Sequence, residues 1–144
     1  MKAKAFAKIN LSLDIVGKRA DGYHLLRTVM QSVSLYDTVW AEKDAGISLS
    51  CTAEGVPLDE KNTAVRAARV FFSETGISGG VQLKIEKKIP MQAGLGGGSA
   101  DAAAVLRLLD ALYGTKLSTE ALCRMGEAVG ADVPFCVRGG AALA

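Results

Sequence analysis

The stretch PMQAGLGGGSAD, from Pro90 to Asp101, stands between a predicted strand and a predicted helix. Four of the five residues from Gly94 to Gly98 are glycine. Glycine adopts positive φ angles without strain and lets backbone N–H groups approach a ligand closely. At the start of a helix, such a loop directs N–H donors and the positive end of the helix dipole at an anion. The stretch therefore predicts a phosphate-binding loop; the alternative is a plain turn with Ser99 as N-cap, which needs one glycine at most.

The loop differs from three familiar nucleotide-binding loops. A Walker A loop has a lysine directly after its last glycine, whereas Ser99 follows Gly98 here. Ser99 also stands where the dinucleotide fingerprint G-x-G-x-x-G has its last glycine. The V-A-I-K and H-R-D segments of protein kinases are missing from the sequence. Positive charge for a bound triphosphate must then come from Mg²⁺ and from distant residues such as Lys8 or Lys87.

The periodicity of apolar residues predicts one α+β domain over residues 1–144. Ala5 to Val16 alternates apolar and polar residues, and two later segments, Leu25 to Trp40 and Ile47 to Cys51, are rich in strand-forming residues. The first third therefore predicts an antiparallel β region. The later predicted elements are a helix from Asn62 to Glu74 with Asn62 as N-cap and Gly76 after its end, a strand from Val81 to Lys87, a helix from Ala102 to Tyr113 ended by Gly114, a helix from Ser118 to about Val129, a strand from Val133 to Val137, and a further strand near Ala144.

The composition limits the classes of function. The 144 residues are 49% hydrophobic and 22% charged, which is typical of a soluble globular domain. The net charge of +2 is too small for a nucleic-acid-binding surface, so an anionic ligand must be held locally. There is neither an apolar run long enough to span a membrane nor a signal-peptide pattern. Cys51, Cys123 and Cys136 form no C-x-x-C pair, which argues against a disulfide framework and a zinc site, and we expect a cytoplasmic protein with buried thiols.

Two charged residues stand at unusual positions in the pattern. Asp132 precedes the apolar segment that begins at Val133, where it is either a turn or capping residue or a functional group at a strand end. Lys8 interrupts a regularly alternating strand, and the solvated face of the strand is the commoner explanation for such a lysine. Together the two suit phosphoryl transfer to an alcohol, which needs a base for the hydroxyl proton and a cation near the developing charge.

The only histidine, His24, directly follows Tyr23 after a predicted turn. An aromatic residue beside a histidine can stack on a nucleobase and form hydrogen bonds with its edge. On spacing alone, a surface turn is the commoner explanation for this pair.

Four segments together resemble the GHMP kinase superfamily, which includes galactokinase, homoserine kinase, mevalonate kinase and phosphomevalonate kinase. They are AKINL (Ala7–Leu11), DGYH (Asp21–His24), IPMQAGLGGGSADAA (Ile89–Ala103) and GADVPF (Gly130–Phe135). The glycine loop is similar to that of the whole superfamily, whereas AKINL and DGYH resemble the members that act on a cytidine-diphosphate-linked methylerythritol in non-mevalonate isoprenoid biosynthesis. The resemblance covers nearly the whole chain, and it implies an enzyme that uses ATP and Mg²⁺ to phosphorylate the 2-hydroxyl of that small-molecule substrate.

The resemblance also implies roles for individual residues. Asp132 resembles the catalytic base, and Lys8 the residue that orients it and stabilises charge. Tyr23 and His24 resemble the pair that stacks on and reads the cytosine, with Asn10 near the reacting hydroxyl. The residues implied to bind ATP are Pro90, Met91, Gln92, Ala93, Gly94, Leu95, Gly96, Gly97, Gly98, Ser99 and Ala100 around the phosphates, and Asn62 and Lys87 at the adenosine.

The fold that the resemblance implies is α+β, with a mixed or antiparallel sheet packed against helices. It is that of the N-terminal domain of a GHMP kinase, similar to domain 2 of ribosomal protein S5. The family's C-terminal domain is absent from residues 1–144, so we expect little activity from the chain alone. Ala100 stands where the family often has a second serine, which leaves a hydroxyl contact to phosphate to Ser99 or water.

Two other interpretations remain at this point. Another small-molecule kinase of the GHMP type would keep the glycine loop but would have no use for a cytosine reader at Tyr23 and His24. A nucleic-acid-binding module of S5-like fold would need a basic stripe, which the net charge of +2 disfavours.

Overall fold

A mixed β-sheet covered by helices on one face forms the framework of the protein. The computed structural model describes residues 1–18, 24–91 and 95–143, with side chains for residues 1–9, 30–91 and 95–139. Within these residues the strands are β1 (Lys2–Lys18), β2 (His24–Asp44), β3 (Ile47–Cys51), β4 (Gly80–Glu86) and β5 (Ala141–Leu143), in the sheet order β3-β4-β2-β1-β5. The helices are α1 (Thr63–Thr75), α2 (Gly97–Tyr113), α3 (Thr119–Glu127) and α4 (Val133–Phe135), the last of which continues into a π-helical turn (Cys136–Gly140). The predicted α+β class is confirmed.

The sheet combines antiparallel and parallel pairs. Strands β1 and β2 form a long antiparallel ladder from the pair Lys2–Trp40 to the pair Lys18–His24, which confirms the predicted antiparallel region. Strand β2 also pairs antiparallel with β4, and β5 pairs antiparallel with β1. Strand β3 runs parallel to β4, because α1 connects them as a crossover. The expectation that the first third is antiparallel therefore holds for β1 and β2 but not for the Ile47–Cys51 strand.

Small side chains let helix α2 approach the sheet closely. On β1 the residues that face the helices are Ala3, Ala5 and Ala7, all completely buried. Alanines on α2 meet them, including Ala100 and the run 102–104, and these are also completely buried. With only methyl groups between them, the backbones of helix and sheet pack at short range, and burial of this surface stabilises both elements.

The predicted N-caps of α1 and α3 and the predicted terminal glycines of α1 and α2 are confirmed. The Asn62 side chain accepts a hydrogen bond from Ala64 N at 2.9 Å and so caps α1. Ser118 Oγ accepts one from Ala121 N at 3.1 Å at the start of α3. Gly76 and Gly114, with φ angles of 69° and 62°, end α1 and α2 in the left-handed conformation that glycine adopts without strain.

Helix α2 begins earlier than the sequence predicted. Its first residue is Gly97 rather than Ala102, and its N-cap is Gly96 with a φ of 69°. Ser99 lies inside the first turn, so the interpretation of Ser99 as N-cap is wrong. Glycine disfavours the interior of a helix but is tolerated in its first turn, where few backbone hydrogen bonds depend on it. The last glycines of the loop are therefore part of the helix.

The predicted strand from Val133 to Val137 is helical in the structure. Asp132 occupies the N-cap position of α4, and Pro134 fits the first turn because its missing N–H has no partner there. Val133 and Val137 are completely buried, and Val133 packs against Gly126 of α3. A short apolar run does not distinguish a strand from a buried helical turn, which explains the error.

Two expectations from composition can be compared with the described residues. No helix among them is long and apolar enough to cross a membrane. The thiols of Cys51, Cys123 and Cys136 are all free, and the latter two are buried whereas Cys51 is half-buried. The prediction of buried thiols is thus confirmed for Cys123 and Cys136.

Candidate functional site

A groove of about 400 Å³ opens where the start of α1, the end of β4 and the first turn of α2 meet. Its lining combines apolar side chains such as Pro57 and Met91 with the backbone of the segment 95–99 and the side chains of Asn62 and Lys87. The glycine segment predicted to bind phosphate therefore faces an open concave surface rather than a packed core.

The glycines at the start of α2 are closely surrounded. A Cβ atom on Gly96 would lie 2.7 Å from Lys8 Cγ, and the φ of 69° would also strain any other residue there. A Cβ atom on Gly97 would lie 3.1 Å from Lys87 Nζ. Glycine at these two positions therefore brings two lysine side chains against the backbone of the loop.

The first turn of α2, which lines the groove, has N–H donors that the helix itself does not use. Ala100 N donates to Gly96 O at 2.8 Å, which is the first hydrogen bond of the helix. By helix geometry, the N–H groups of residues 97–99 have no carbonyl one turn earlier. Thr63 Oγ1 donates to Gly98 O at 2.6 Å and so connects the start of α1 to this turn. The arrangement provides oriented N–H groups and the positive end of a helix dipole, which suits an anion.

Lys8 and Asp132 lie together beside the glycine turn, where Lys8 packs against Gly96, but neither residue lines the groove itself. Lys8 Nζ is 3.4 Å from Asp132 Oδ2, a distance at which Lys8 can orient the carboxylate as the resemblance implied. Lys8 belongs to β1 but is only 6% exposed, because its side chain packs along Gly96 and its N–H donates to Leu95 O at 2.8 Å. The Asp132 side chain is 42% exposed, so its carboxylate is accessible to a ligand. The explanation of Lys8 as a residue of the solvated strand face is therefore wrong.

The thiol of Cys136 lies near this pair. Burial, together with the negative charge of Asp132, raises the pKa of Cys136 to about 11. The thiol is therefore protonated at neutral pH and is a poor nucleophile. Of Cys136 and Asp132, only Asp132 is then available to accept a proton.

A second charged cluster lies under the first turn of α2, and sequence reasoning missed it. Lys87 Nζ is 2.7 Å from Asp37 Oδ2 and 3.0 Å from Asp101 Oδ2; both acids are buried, and the Lys87 side chain is 9% exposed. Asp37 Oδ1 also accepts hydrogen bonds from the backbone N–H groups of Lys88 and Ile89, at 2.7 and 2.9 Å. The cluster joins β2, the segment after β4 and helix α2 at the floor of the groove.

The two acids of the cluster differ in their pKa. Burial acts to raise the pKa of Asp37, but the neighbouring Asp101 carboxyl and hydrogen bonds from the Ile89 backbone and Lys87 hold it below its usual value. Burial raises the pKa of Asp101 well above its usual value, and the neighbouring Asp37 adds to that rise. Burial acts to lower the pKa of Lys87, but the two acids outweigh it and raise that pKa. Lys87 is thus a cation at neutral pH.

One signal in the sequence pointed to this cluster. Asp37 occupies the strand position in phase with Val39 and Ala41, and Asp101 stands within a run of alanines, so both acids fall at core-facing positions. Acidic residues are rarely buried unless they are paired. Two acids in the core phase therefore indicate a buried cation, although the pattern does not identify Lys87 as that cation.

The structure brings most of the predicted ATP-binding residues together. The predicted residues that line the groove are Pro90, Met91, Leu95, Gly96, Gly97, Gly98, Ser99, Asn62 and Lys87. Ala100 does not, because its side chain is completely buried against the sheet. Asn62 uses its side chain to cap α1 and to donate to Pro57 O at 2.9 Å. Tyr23, Gln92, Ala93 and Gly94 lie outside the described residues, as do the side chains of Asn10 and His24.

Residues 62–140 match a family model described as the GHMP kinases N terminal domain. These residues contain α1, the glycine loop, α2 and the Asp132 segment, but not Lys8.

Close relatives in sequence carry one name. The chain is 51% identical over 144 residues to a protein from Clostridium beijerinckii named 4-diphosphocytidyl-2-C-methyl-D-erythritol kinase, and the match covers 99% of this chain and 51% of the relative. A protein of the same name from Clostridium tetani is 52% identical, with coverage of 99% and 51%. The chain thus spans about half the length of the curated relatives that it matches.

Solved structures show the same fold. A crystal structure of 4-(cytidine 5'-diphospho)-2C-methyl-D-erythritol kinase superposes with a TM-score of 0.82 at 40% identity, covering 98% of this chain and 50% of that one. Homoserine kinase from Cytophaga hutchinsonii superposes with a TM-score of 0.68 at 21% identity, covering 99% and 43%. The second similarity supports the fold alone.

Proposed function

Because the chain belongs to the GHMP kinase family, we propose that it is the ATP- and substrate-binding N-terminal domain of a kinase that phosphorylates the 2-hydroxyl of 4-diphosphocytidyl-2-C-methyl-D-erythritol. The names of the Clostridium relatives and of the 40% identical structure support this substrate. A second domain beyond these residues, which those relatives have the length to contain, would complete the cleft.

The observation that carries the proposal is the Lys8–Asp132 pair against Gly96. A phosphoryl transfer to an alcohol needs a hydroxyl, a base and the γ-phosphate in one place. The pair, with its 3.4 Å contact, lies directly beside the loop that would hold the phosphates. Packing alone does not favour a buried lysine beside an accessible carboxylate, whereas such pairs are common at functional sites.

The groove fits ATP in both size and chemistry. Its volume of about 400 Å³ is within the range of small-molecule sites, and its apolar wall at Val56 and Pro57 suits a base and ribose. The N–H groups of residues 97–99 would hold phosphate oxygens, with Lys61 and Lys87 as cations in the lining. The described residues contain no cluster of three metal-binding side chains, so Mg²⁺ would be bound mainly by phosphate oxygens and water. When bound, ATP would supply the transferred phosphoryl group and leave as ADP, and Mg²⁺ would offset the charge of the phosphates.

Asp132 and Lys8 then have distinct tasks. Asp132 accepts the proton of the substrate 2-hydroxyl at a carboxylate oxygen, for which its exposure to the cleft is sufficient. Lys8 holds the carboxylate in position and stabilises the charge that develops on the attacking oxygen. Because Cys136 remains a neutral thiol, it does not compete for the phosphoryl group.

The proposed substrate contacts come from the β1–β2 end of the sheet. Tyr23 and His24 would stack on and read the cytosine, and Asn10 would contact the substrate near the reacting hydroxyl. The ladder between β1 and β2 runs past the Lys8–Ser32 pair and continues to His24, so the backbone positions of Asn10 and His24 follow Lys8 along one ribbon. The ribbon is long enough to hold a nucleotide-linked sugar alcohol along its length.

The proposal is tested by a phosphorylation assay with three alcohols. The full-length enzyme, with the second domain that completes the cleft, is incubated with ATP, Mg²⁺ and either 4-diphosphocytidyl-2-C-methyl-D-erythritol, mevalonate or homoserine, and products are followed by mass spectrometry and ³¹P NMR. We expect one phosphate to be added to the cytidylyl substrate at its 2-hydroxyl, and no product from the other two. Transfer to mevalonate or homoserine instead would assign the protein to another member of the family.

A further inference from the structure

Asp101 is a buried acid in the wall of the groove. Its side chain is only 5% exposed, and its Oδ2 atom lies 3.0 Å from Lys87 Nζ. Its Oδ1 atom is buried and has no hydrogen-bond partner among the described residues. An ionised carboxylate oxygen in that position is unfavourable, because nothing replaces the water that it has lost.

Asp101 shares the Lys87 ammonium with Asp37. The two contacts, 2.7 Å to Asp37 and 3.0 Å to Asp101, hold the ammonium between α2 and β2. The same nitrogen is 3.1 Å from the point where a Cβ on Gly97 would lie. The two acids therefore fix the lysine against the first turn of the helix that faces the groove.

The net charge of Asp37, Lys87 and Asp101 together indicates which protonation state of this cluster suits an anionic ligand. With all three groups ionised, the cluster has two negative charges and one positive charge beneath a site for a polyanion, and like charges repel strongly where water is excluded. A proton on one acid makes the cluster neutral. Asp37 accepts hydrogen bonds from Lys87 and from two backbone N–H groups, whereas Asp101 accepts one from Lys87. The proton therefore belongs on Asp101.

The surroundings of Asp101 agree with this assignment. Burial, and secondly Asp37, raises the pKa of Asp101 well above its usual value, and Lys87 opposes the rise. The titratable groups that face it from other elements are Asp37 on β2, Lys87 after β4 and Cys136 after α4, and Cys136 is in turn influenced by Lys8 and Asp132. Cys136 is a neutral thiol at neutral pH because burial raises its pKa to about 11, so it adds no charge.

We propose that Asp101 is a positioning residue of the nucleotide site, which holds Lys87 against the first turn of α2 and does so as a neutral carboxylic acid while an anionic ligand fills the groove. This inference rests on the proposed function. Nucleotide binding is then linked to a proton on Asp101, whose pKa is higher with the nucleotide bound than without it. The affinity is therefore highest below the pKa of the free protein and falls as the pH rises towards the pKa of the complex.

The test is a calorimetric titration of ATP, with and without Mg²⁺, across the pH range in which the protein stays folded. The proteins are the wild type, Asp101→Asn, Asp101→Ala and Glu74→Gln. The asparagine has the shape of the acid but no charge at any pH, the alanine removes the contact with Lys87, and Glu74 is an exposed acid at the far end of α1. Titration in two buffers of different ionisation enthalpy also measures the protons taken up on binding. The ionisation of ATP itself cancels in the comparison between proteins.

We expect the wild type and Glu74→Gln to lose about tenfold more affinity than Asp101→Asn as the pH rises, which corresponds to a pKa change of one unit. We also expect proton uptake that Asp101→Asn lacks, and about tenfold weaker binding by Asp101→Ala at every pH, because Lys87 loses one of its two anchors. Parallel pH profiles for the wild type and Asp101→Asn would overturn the inference. A loss of affinity in Asp101→Asn that occurs only with Mg²⁺ would do the same, since it would mean that the ionised carboxylate is required. Absence of ATP binding by the wild type would instead refute the proposed function, and the inference with it.

Discussion

Lys8 is a charged residue of β1, yet its side chain is buried, and its position on the strand alone does not explain this. Its ammonium is buried beside Asp132, and its aliphatic part packs along Gly96. The cost of burying an ammonium is offset only where an opposite charge and hydrogen bonds compensate it. The partial exposure of Asp132 leaves the pair one side from which a hydroxyl can approach. This geometry makes Asp132 the residue whose substitution is most informative.

We expect Asp132→Asn in the full-length enzyme to lower kcat by about 10²–10⁴-fold, the usual range for a positioned acid or base, with little change in KM for either substrate. The amide keeps the size of the side chain and removes the proton acceptor. Steady-state kinetics with the cytidylyl substrate and ATP measures the effect, and Glu127→Gln, an exposed acid on α3, is the matched control. A drop in kcat of less than about tenfold would make Asp132 a positioning group, because a loose transition state needs little proton abstraction.

Among single residues, the sequence predicted the glycine loop, whose backbone lines the groove. It did not predict the cluster in which side chains from distant positions meet. The four glycines between Gly94 and Gly98 predicted a loop that binds a ligand, and residues 95–99 do line the groove. The contacts of Lys87 with Asp37 and Asp101 join positions that are 50 and 14 residues apart. No local pattern contains such pairs, since they depend on how β2, β4 and α2 pack.

The elements differ in how well their sequences specify them. Helix α1 has an asparagine cap and a terminal glycine, and its start and end match the prediction closely. The short helix α4 has neither a long apolar period nor a capping side chain bond, so its five-residue apolar segment from Val133 to Val137 was predicted as a strand. Packing of Val133 against Gly126, which is tertiary information, determines its conformation.

The link between β2 and the segment after β4 depends on Asp37. We expect Asp37→Ala to lower the free energy of unfolding by about 3–5 kcal/mol at neutral pH, because it leaves Lys87 and two backbone N–H groups without this partner. Urea denaturation measures the change, and Glu42→Gln, at an exposed position of the same strand, is expected to stay within about 0.5 kcal/mol of the wild type.

The pH dependence of this effect has a definite sign. The pKa of Asp37 in the folded protein lies below its usual value, so the acid stabilises the fold above its unfolded-state pKa. That contribution is lost as the pH falls through the lowered pKa. The difference between the wild type and Asp37→Ala should therefore shrink in acid; a difference that stays constant down to acid unfolding would contradict the account.

In the whole molecule, one sheet and one helix bring the two charged clusters to the same place. Lys8 comes from β1 and Asp132 from the start of α4, and both lie on one side of the glycine loop, while the Asp37–Lys87–Asp101 cluster lies beneath it. The family and the fold class were predictable from short segments, and residues 62–140, which contain the loop and its flanking elements, match the GHMP kinase family model. The edges of the mixed sheet were not, since the parallel pairing of β3 with β4 depends on the path of α1.

Binding of the ATP phosphates by the N-terminal turn of α2 is tested by calorimetric titration of ATP into Gly97→Val. A Cβ at Gly97 would lie 3.1 Å from Lys87 Nζ and 3.2 Å from Ile89 Cγ2, so valine must displace the turn or the lysine. Gly46→Ala is the control, because a Cβ there would meet nothing within 4 Å. We predict that Gly97→Val binds ATP at least about tenfold more weakly than the wild type, a loss of about 1.4 kcal/mol, while Gly46→Ala binds it normally. Equal ATP affinity of a folded Gly97→Val and the wild type would contradict the claim.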